Sequence, residues 1–220
     1  MADLAALKTE LRDAIGDAQA DGTYTDEAYD RIMTAIDALV PHTPLPRPID
    51  DQAQVADPWG TDFAQFGPRH TAGKPKAHDN MFNFLTFGKM PKKPLRVVEL
   101  LQEIHHETKD YNNVHLIETM DGETKAELII YGRYDIPDEN PQRYSVEFYK
   151  GELRADGMDD AALRKAFDLS EDDALVFDIK PPKLHSDVVY CDEDMRINFG
   201  SLGGKYVLHR LPADFVSVDL

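Results

Sequence analysis

The sequence predicts a mainly β, α+β fold, in which an antiparallel β-barrel is preceded by an N-terminal helical hairpin. Two patterns carry this prediction. Apolar residues in the first part of the chain recur at the three- and four-residue steps of amphipathic helices, whereas later runs alternate apolar and polar side chains. Helices followed by many short strands are typical of this class and not of a parallel doubly wound sheet.

Three regions follow from these patterns. Residues 1–40 should form the helical hairpin, residues 41–95 a Pro-rich segment that wraps the surface and has room for the first strand, and residues 96–220 the barrel body. Regular structure should be short in the second region, because proline lacks a backbone donor and fixes φ. Its aromatic residues, beginning with Trp59, should anchor it to the core.

Capping residues mark the two helices of the hairpin. Asp3 and Thr25 are the predicted N-caps, Asp21-Gly22 is the stop between the helices, and Pro41 ends the second one. Two helices alone cannot bury both apolar stripes, so the hairpin should pack on the barrel mouth or on a second subunit. The second case would give a homodimer through the N-terminal helices.

In the barrel body, the Asp121-Gly122 turn should join strands at residues 114–119 and 126–136. Residues 97–106 suit either a helix or a strand. Further strands are expected at residues 144–148, 174–179, 187–191, 195–199 and 205–211, with a short helix over residues 159–169. Alternation predicts four inward aromatic side chains as ligand contacts, although each of them suits plain core better than a ligand wall: Tyr134, Phe148, Tyr190 and Tyr206.

The net charge of −17 excludes one class of partner. An acidic field of this size repels phosphate backbones, so no nucleic-acid partner is expected. The best candidate for a basic patch, Lys89 to Arg96, is small, so contact with an anionic membrane should be weak and peripheral at most. The N-terminal residues lack the pattern of a secretory signal, and the single cysteine, Cys191, fits a reducing compartment, so we expect a cytoplasmic protein.

A histidine-rich stretch raises the alternative of an enzyme. His105, His106, Tyr111 and His115 lie close together in sequence, and one inward histidine with the tyrosine could perform acid–base chemistry on an apolar substrate. The spacing matches no familiar metal-binding motif, so no metal site and no cofactor are predicted. A Gly-x-Ser-x-Gly elbow is absent from the sequence, which excludes a lipase of that type.

The segment SDVVYCDEDMRINFGSLGGKYVLHR resembles the closing segment of the plastid lipid-associated protein (PAP/fibrillin) family. The likeness rests on Tyr190, the acidic turn 192–194, Arg196-Ile197, the glycines at 200, 203 and 204, and Tyr206-Val207. The likeness is strong over about twenty-five residues. The preceding β-rich body, roughly residues 97–180, agrees only in the order of its elements and in its alternating pattern, without a shared motif. The resemblance implies a lipocalin-like barrel that binds isoprenoid, carotenoid or fatty-acid lipids. Pro58-Trp59-Gly60 departs from the Gly-x-Trp pattern of the family's first strand.

Arg196 is the charged side chain for which two interpretations compete. In the structural one, Arg196 pairs with Asp192 across the turn and stacks on Trp59 to close one barrel end. In the functional one, Arg196 points into the cavity toward a ligand carboxylate or hydroxyl. The functional interpretation requires a bulge in the hairpin, because the apolar residues at 195, 197 and 199 are expected to point inward and Arg196 would then point outward.

The resulting hypothesis is a soluble, non-enzymatic carrier for an apolar or amphipathic small molecule. Two alternatives stay open: an enzyme working in the same barrel through histidine and tyrosine, and an oligomerising interaction protein with a filled barrel. A small closed barrel either fills itself with side chains or encloses one ligand, and the sequence does not distinguish the two.

Overall fold

The computed structural model describes residues 3–20, 25–66, 81–137, 139–212 and 215. Within these residues, a nine-stranded antiparallel sheet closes on itself. The strands are β1 (Asp57–Gln65), β2 (Arg96–His105), β3 (Asp110–Glu118), β4 (Lys125–Asp135), β5 (Arg143–Arg154), β6 (Val176–Asp178), β7 (Leu184–Cys191), β8 (Met195–Gly200) and β9 (Lys205–Arg210).

Eight of these strands form the barrel, in the order β1-β2-β3-β4-β5-β7-β8-β9. The ring is closed because β9 pairs with β1 and β4 pairs with β5. Strand β6 lies outside the ring and extends the sheet from β5. The predicted antiparallel barrel is therefore confirmed, and closure leaves the ring without an unpaired edge.

Both helices of the predicted hairpin are present, α1 (Leu4–Ala20) and α2 (Asp26–Leu39). Their predicted caps form, since a carboxylate oxygen of Asp3 accepts from the amide of Ala6 and the Thr25 hydroxyl accepts from the amide of Ala28. Asp21-Gly22 lies outside the described residues. Three shorter α-helices follow in the described part of the chain, α3 (Gln52–Val55), α4 (Met81–Leu85) and α5 (Asp160–Ala166).

The helical hairpin packs against the outer wall of the barrel and not across its mouth. Its buried residues, among them Leu11, Ile32 and Ile36, share one apolar cluster with outward residues of the barrel strands. Those outward residues are Phe63, Val189, Tyr190, Met195, Ile197 and Val207. Both apolar stripes are thereby covered within one chain, and the strands beneath the hairpin are buried on both faces.

Two bulges set which side chains point inward on this wall. On β7 the pairing shifts by one residue between Val188 and Tyr190, so the face that carries Ser186 and Val188 is continued by Cys191. A second shift lies between Thr61 and Phe63 on β1, and it turns Phe63 outward toward the helices. One extra residue reverses the alternation beyond it, because the side-chain period of a strand is two.

The two ends of the barrel differ. At one end, α3 and the segment before it close the barrel: the Tyr134 hydroxyl donates to Gln52 Oε1 over 2.8 Å, and the Tyr144 hydroxyl to the Pro48 carbonyl over 3.3 Å. At the other end, α4 and α5 pack against the extended part of the sheet through residues such as Phe82, which lies 6.1 Å from Phe167. We refer to these as the closed end and the open end.

Several local predictions are resolved by the structure. The ambiguous stretch 97–106 is strand β2, and the first strand, β1, lies inside the Pro-rich segment with Pro58-Trp59-Gly60 in it. Strand β3 begins at Asp110, four residues earlier than the alternation indicated, because polar Asn112 and Asn113 continue the ladder. Hydropathy does not mark such residues as strand, although the backbone pairs them with β2.

Candidate functional site

The barrel encloses a cavity of about 490 Å³ toward its open end. This volume lies within the range of small-molecule sites, roughly 300–1,000 Å³. Residues of all eight barrel strands line it, and residues of α4 and the turn after it complete the lining. The closed end is filled by large side chains such as Trp59, Tyr134 and Tyr144, so the barrel is solid in one half and hollow in the other.

Aromatic side chains surround the opening of this cavity. The Phe66 ring lies 5.8 Å from Phe84 and 5.8 Å from Tyr206, and the Phe87 ring lies 6.0 Å from Phe148. Phe84 is 51% exposed and Phe87 is 44% exposed, both unusually high for phenylalanine. We call these five side chains the aromatic mouth.

The cavity is polar where it meets the closed end. Gln102 donates through Nε2 to Asn113 Oδ1 over 3.1 Å, and its Oε1 accepts from Asn198 Nδ2 over 3.4 Å. The hydroxyls of Tyr111 and Ser186 lie in the same group. Gln102, Tyr111, Asn113 and Ser186 line the cavity and form what we call the polar floor, with Asn198 behind them.

Arg196 lies behind the polar floor and is completely buried. Its guanidinium donates to the Val55 carbonyl over 3.1 Å and to Gln102 Oε1, and it stacks over Trp59 with 4.7 Å between its central carbon and the ring centre. Burial lowers the pKa of Arg196, although an arginine remains charged in a protein. The cavity floor is therefore backed by a fixed positive charge.

Two buried polar atoms next to the floor have no hydrogen-bond partner within the described parts of the chain. They are Nε of Arg196 and Oδ1 of Asn198. Unsatisfied buried polar atoms are uncommon in native proteins, because each forfeits the hydrogen bond it would make in water. Their position beside Gln102 marks the floor as a place where polar groups exceed what the fold itself can satisfy.

His115 and Tyr111 are two of the ionisable groups that line the cavity. Burial lowers the pKa of His115 to about 4, so the imidazole is neutral at pH 7. Its Nδ1 must carry the proton, since it lies 3.1 Å from the Leu128 carbonyl, which can only accept; Nε2 is then an acceptor. Burial raises the pKa of Tyr111, so its hydroxyl is a stable donor.

The lining is uncharged in an otherwise strongly charged protein. None of the described residues that line the cavity is Asp, Glu, Lys or Arg, whereas charged residues make up 30% of the sequence. An aromatic mouth, an aliphatic middle and a neutral polar floor form a gradient along the cavity. Such a gradient suits a molecule with an apolar body and one polar end.

Four of the sequence-predicted site residues lie at this cavity. Phe148 and Tyr206 belong to the aromatic mouth, Tyr111 belongs to the polar floor, and His115 lies on the inner wall between them. Arg196 is on the inner face of β8, one side chain behind the lining. The predicted stacking of Arg196 on Trp59 is confirmed, and the two interpretations of Arg196 are not exclusive, because the same guanidinium also contacts the floor.

The remaining predicted site residues lie elsewhere. Tyr134 is inside the barrel but packs at the closed end, 4.8 Å from Tyr144. Tyr190 lies on the outer wall under the helices, because the β7 bulge reverses the alternation before it. His105 and His106 are exposed at the end of β2, so the four-residue histidine–tyrosine cluster separates into an outer pair and an inner pair.

The predicted pairing of Asp192 with Arg196 does not form. Asp192 accepts from Lys8 over 2.8 Å and from the Tyr190 hydroxyl over 2.5 Å, which ties the β7–β8 turn to α1. The apolar side chains of β8 that were expected inside, Met195 and Ile197, face the helical hairpin. The inner face is thus left to Arg196 and Asn198 without any bulge in β8.

Of the polar floor, sequence reasoning singled out Tyr111 and missed Gln102, Asn113 and Ser186. Gln102 lies in the stretch that suited helix or strand, and Asn113 precedes the residues taken as the start of β3. One signal was present: Gln102 and Leu100 share a strand face, as do Asn113 and His115, so a polar stripe on two paired strands could have been recognised. The contribution of Phe84 and Phe87 had no signal beyond their aromatic character.

Comparison with known proteins identified no relative of this chain. No protein-family model, no curated protein and no solved structure matches this chain. Among the described residues, histidine, cysteine and carboxylate side chains form no group of three that could hold a metal ion. No helix in the described parts of the chain is both long and apolar enough to cross a membrane.

Proposed function

We propose that this protein is a carrier that holds one apolar or amphipathic small molecule inside its barrel. The observation that carries the proposal is the uncharged cavity of about 490 Å³, open at an aromatic mouth and polar at its floor. A filled barrel, the basis of the third sequence hypothesis, would leave no such space.

The chemical class of the ligand follows from the resemblance to the PAP/fibrillin family, and we propose membership of that family as part of the same hypothesis. The residues that carry the likeness occupy the hairpins of β7, β8 and β9. An isoprenoid, carotenoid or fatty-acid lipid would place its long apolar part against the aromatic mouth and the aliphatic middle of the cavity.

The surroundings of the carrier are proposed on sequence grounds. A cytoplasmic location agrees with the single buried Cys191, and the charge of −17 disfavours nucleic acids and anionic membranes as partners. A homodimer through the N-terminal helices would have to use the polar faces of α1 and α2, since their apolar stripes are buried on the barrel wall.

Ligand extraction tests the carrier proposal directly. We expect organic solvent to release a reproducible lipid from purified protein, identified by mass spectrometry, in close to one copy per chain. Val146→Phe should reduce this yield several-fold, because Val146 lines the cavity and a phenyl ring would occupy part of it. Val98→Phe is the matched control, since Val98 is 44% exposed on β2. Equal yields from the two variants would contradict the proposal.

The second candidate is an acid–base enzyme in the same cavity, favoured by the presence of both Tyr111 and His115 on its lining. Tyr111 would act as the acid and neutral His115 as the base. Molecules extracted from wild type and from Tyr111→Phe distinguish the candidates. A difference in mass between the two bound molecules would favour the enzyme, and one identical molecule would favour the carrier.

A further inference from the structure

Arg196 differs from most arginines of this protein because it is buried and has no carboxylate partner among the described residues. Most of the described arginines at the surface pair with carboxylates, as Arg143 does with Asp187 over 2.7 Å and Arg154 with Glu127 over 2.7 Å. Arg196 is fully buried, and no carboxylate of the described residues pairs with it. A charge taken out of water without a partner of opposite sign destabilises the fold, so such groups are usually paired.

The charge of Arg196 is connected to the cavity by hydrogen bonds through the side chain of Gln102. Gln102 Oε1 accepts from Arg196 and from Asn198, while Gln102 Nε2 donates to Asn113. Gln102 and Asn113 line the cavity, so Arg196 is separated from the ligand space by the width of one amide. Among the residues that the structure describes, none is a hydrogen-bond partner of Arg196 Nε.

The polar floor carries hydrogen-bond donors, and no acidic side chain is among the described residues that line the cavity. The Tyr111 hydroxyl, the Asn113 amide and the Ser186 hydroxyl can each donate into the cavity. No Asp or Glu is among the described lining residues, in a protein with forty-one acidic side chains. A negative group entering this space would therefore meet donors in front of a positive charge, with little water to screen it.

We propose that the cavity selects ligands by a terminal carboxylate, which binds the polar floor with Arg196 as its fixed counter-charge. This inference rests on the proposed carrier function and specifies its ligand as a long-chain monocarboxylic acid. The carboxylate contacts Tyr111 and Asn113 at the floor and Gln102 turns its amide toward it, while the hydrocarbon chain runs toward Phe84 and Phe87 at the mouth. A neutral isoprenoid or carotenoid would leave Arg196 without an anion.

The test compares three fluorescent probes on the full, delipidated chain: a long-chain polyene fatty acid, its methyl ester and its primary alcohol. At neutral pH we expect the acid to bind at least about tenfold more tightly than the ester or the alcohol, since hydrogen bonds to a charged group commonly contribute that much. Equal affinities would overturn the carboxylate inference and leave the carrier proposal intact. Absence of binding by all three would overturn both.

Variants locate the selectivity. Arg196→Met should bring the affinity for the acid down to that for the ester, with ester binding unchanged. Arg210→Met is the matched control, because Arg210 also lies over Trp59, at 4.3 Å, but pairs with Asp57 and is not bonded to the floor. Loss of selectivity in both variants would show that the Trp59 contact matters and would overturn the assignment to Arg196.

A second substitution covers the case in which Arg196→Met does not fold. Gln102→Glu places a carboxylate beside Arg196, where it satisfies the charge from within the protein. We expect this variant to fold at least as well as wild type, to bind the ester normally and to bind the acid at least about tenfold more weakly than wild type does. Retained preference for the acid would overturn the inference.

Discussion

The guanidinium of Arg196 lies over the indole ring of Trp59, with 4.7 Å between its central carbon and the ring centre. A cation–π contact of this kind contributes about 0.5–2 kcal/mol, more when both groups are desolvated, as they are here. The pair joins β1 to β8 through the barrel interior at the boundary between the filled and the hollow half. It connects the stability of the closed end to the charge that backs the ligand site.

Trp59→Ala should lower the free energy of unfolding by about 3–5 kcal/mol, because the indole is fully buried and removing it leaves a large void beside Arg196. Urea denaturation followed by circular dichroism measures this, since Trp59 is the only tryptophan. Val176→Ala, at a position that is 56% exposed, should change the same quantity by less than about 0.5 kcal/mol. Similar losses in both would contradict the role of Trp59 as a structural core residue.

Gly132→Ala should destabilise the barrel by about 1–3 kcal/mol and weaken ligand binding. A Cβ at Gly132 would lie 2.6 Å from the Tyr111 carbonyl oxygen and 2.7 Å from Phe148 Cδ1, so two residues of the cavity lining must shift. Gly16→Ala is the control within α1, where nothing lies within 4 Å of the added carbon. This control should stabilise the protein by about 0.5–1 kcal/mol. Thermal unfolding of the two variants should therefore shift in opposite directions.

The stability of the protein should fall in acid partly because of His115. Its pKa of about 4 in the folded state is below the unfolded value of about 6.5, so the unfolded chain binds the proton first. Stability is therefore lost as the pH falls from about 6.5 toward 4, by up to about 3 kcal/mol. His115→Gln should remove this part of the pH dependence while keeping a donor for the Leu128 carbonyl. Unfolding midpoints in urea at pH 7 and pH 4.5 measure it, and parallel losses in both proteins would contradict the prediction.

Asp194 should add a smaller contribution at lower pH. Burial alone would raise the pKa of Asp194, but hydrogen bonds from Lys8 and Arg12 outweigh it and hold the pKa well below its usual range. The stabilisation is therefore present above the unfolded pKa of about 3.9 and disappears as the pH falls below it. Because Asp194 is 54% exposed, we expect Asp194→Asn to cost less than about 1 kcal/mol at pH 7.

The measurement for Asp194 is thermal unfolding of wild type and Asp194→Asn at pH 7 and at pH 3. The gap between the two proteins should narrow at pH 3, since the unfolded wild-type chain binds a proton on Asp194 at that pH whereas the folded chain, with its lowered pKa, does not. A gap that stays constant would show that Asp194 acts through hydrogen bonding to the turn and not through its charge toward the hairpin.

Much of the fold could be predicted from local patterns. The N-caps at Asp3 and Thr25 and the strand pair around Asp121-Gly122 formed as predicted, because these features depend on residues a few positions apart. The candidate site was predicted less well. Phe148 and Tyr206 line the cavity as predicted, whereas Tyr134 packs at the closed end and Tyr190 lies on the outer wall.

By itself, the sequence determined that strands with alternating apolar and polar residues follow a capped helical hairpin. The periods of a helix and of a strand can be recognised from residues a few positions apart. Only the tertiary structure decided which face of each strand is the inside. The hairpin covers the outer wall, so Met195 and Ile197 are buried outside the barrel while Arg196 and Asn198 face inward. Alternation separates the two faces of a strand but does not show which one is inside when both are buried. For that reason only the folded barrel shows that the polar stripe of Gln102 and Asn113 lines a cavity.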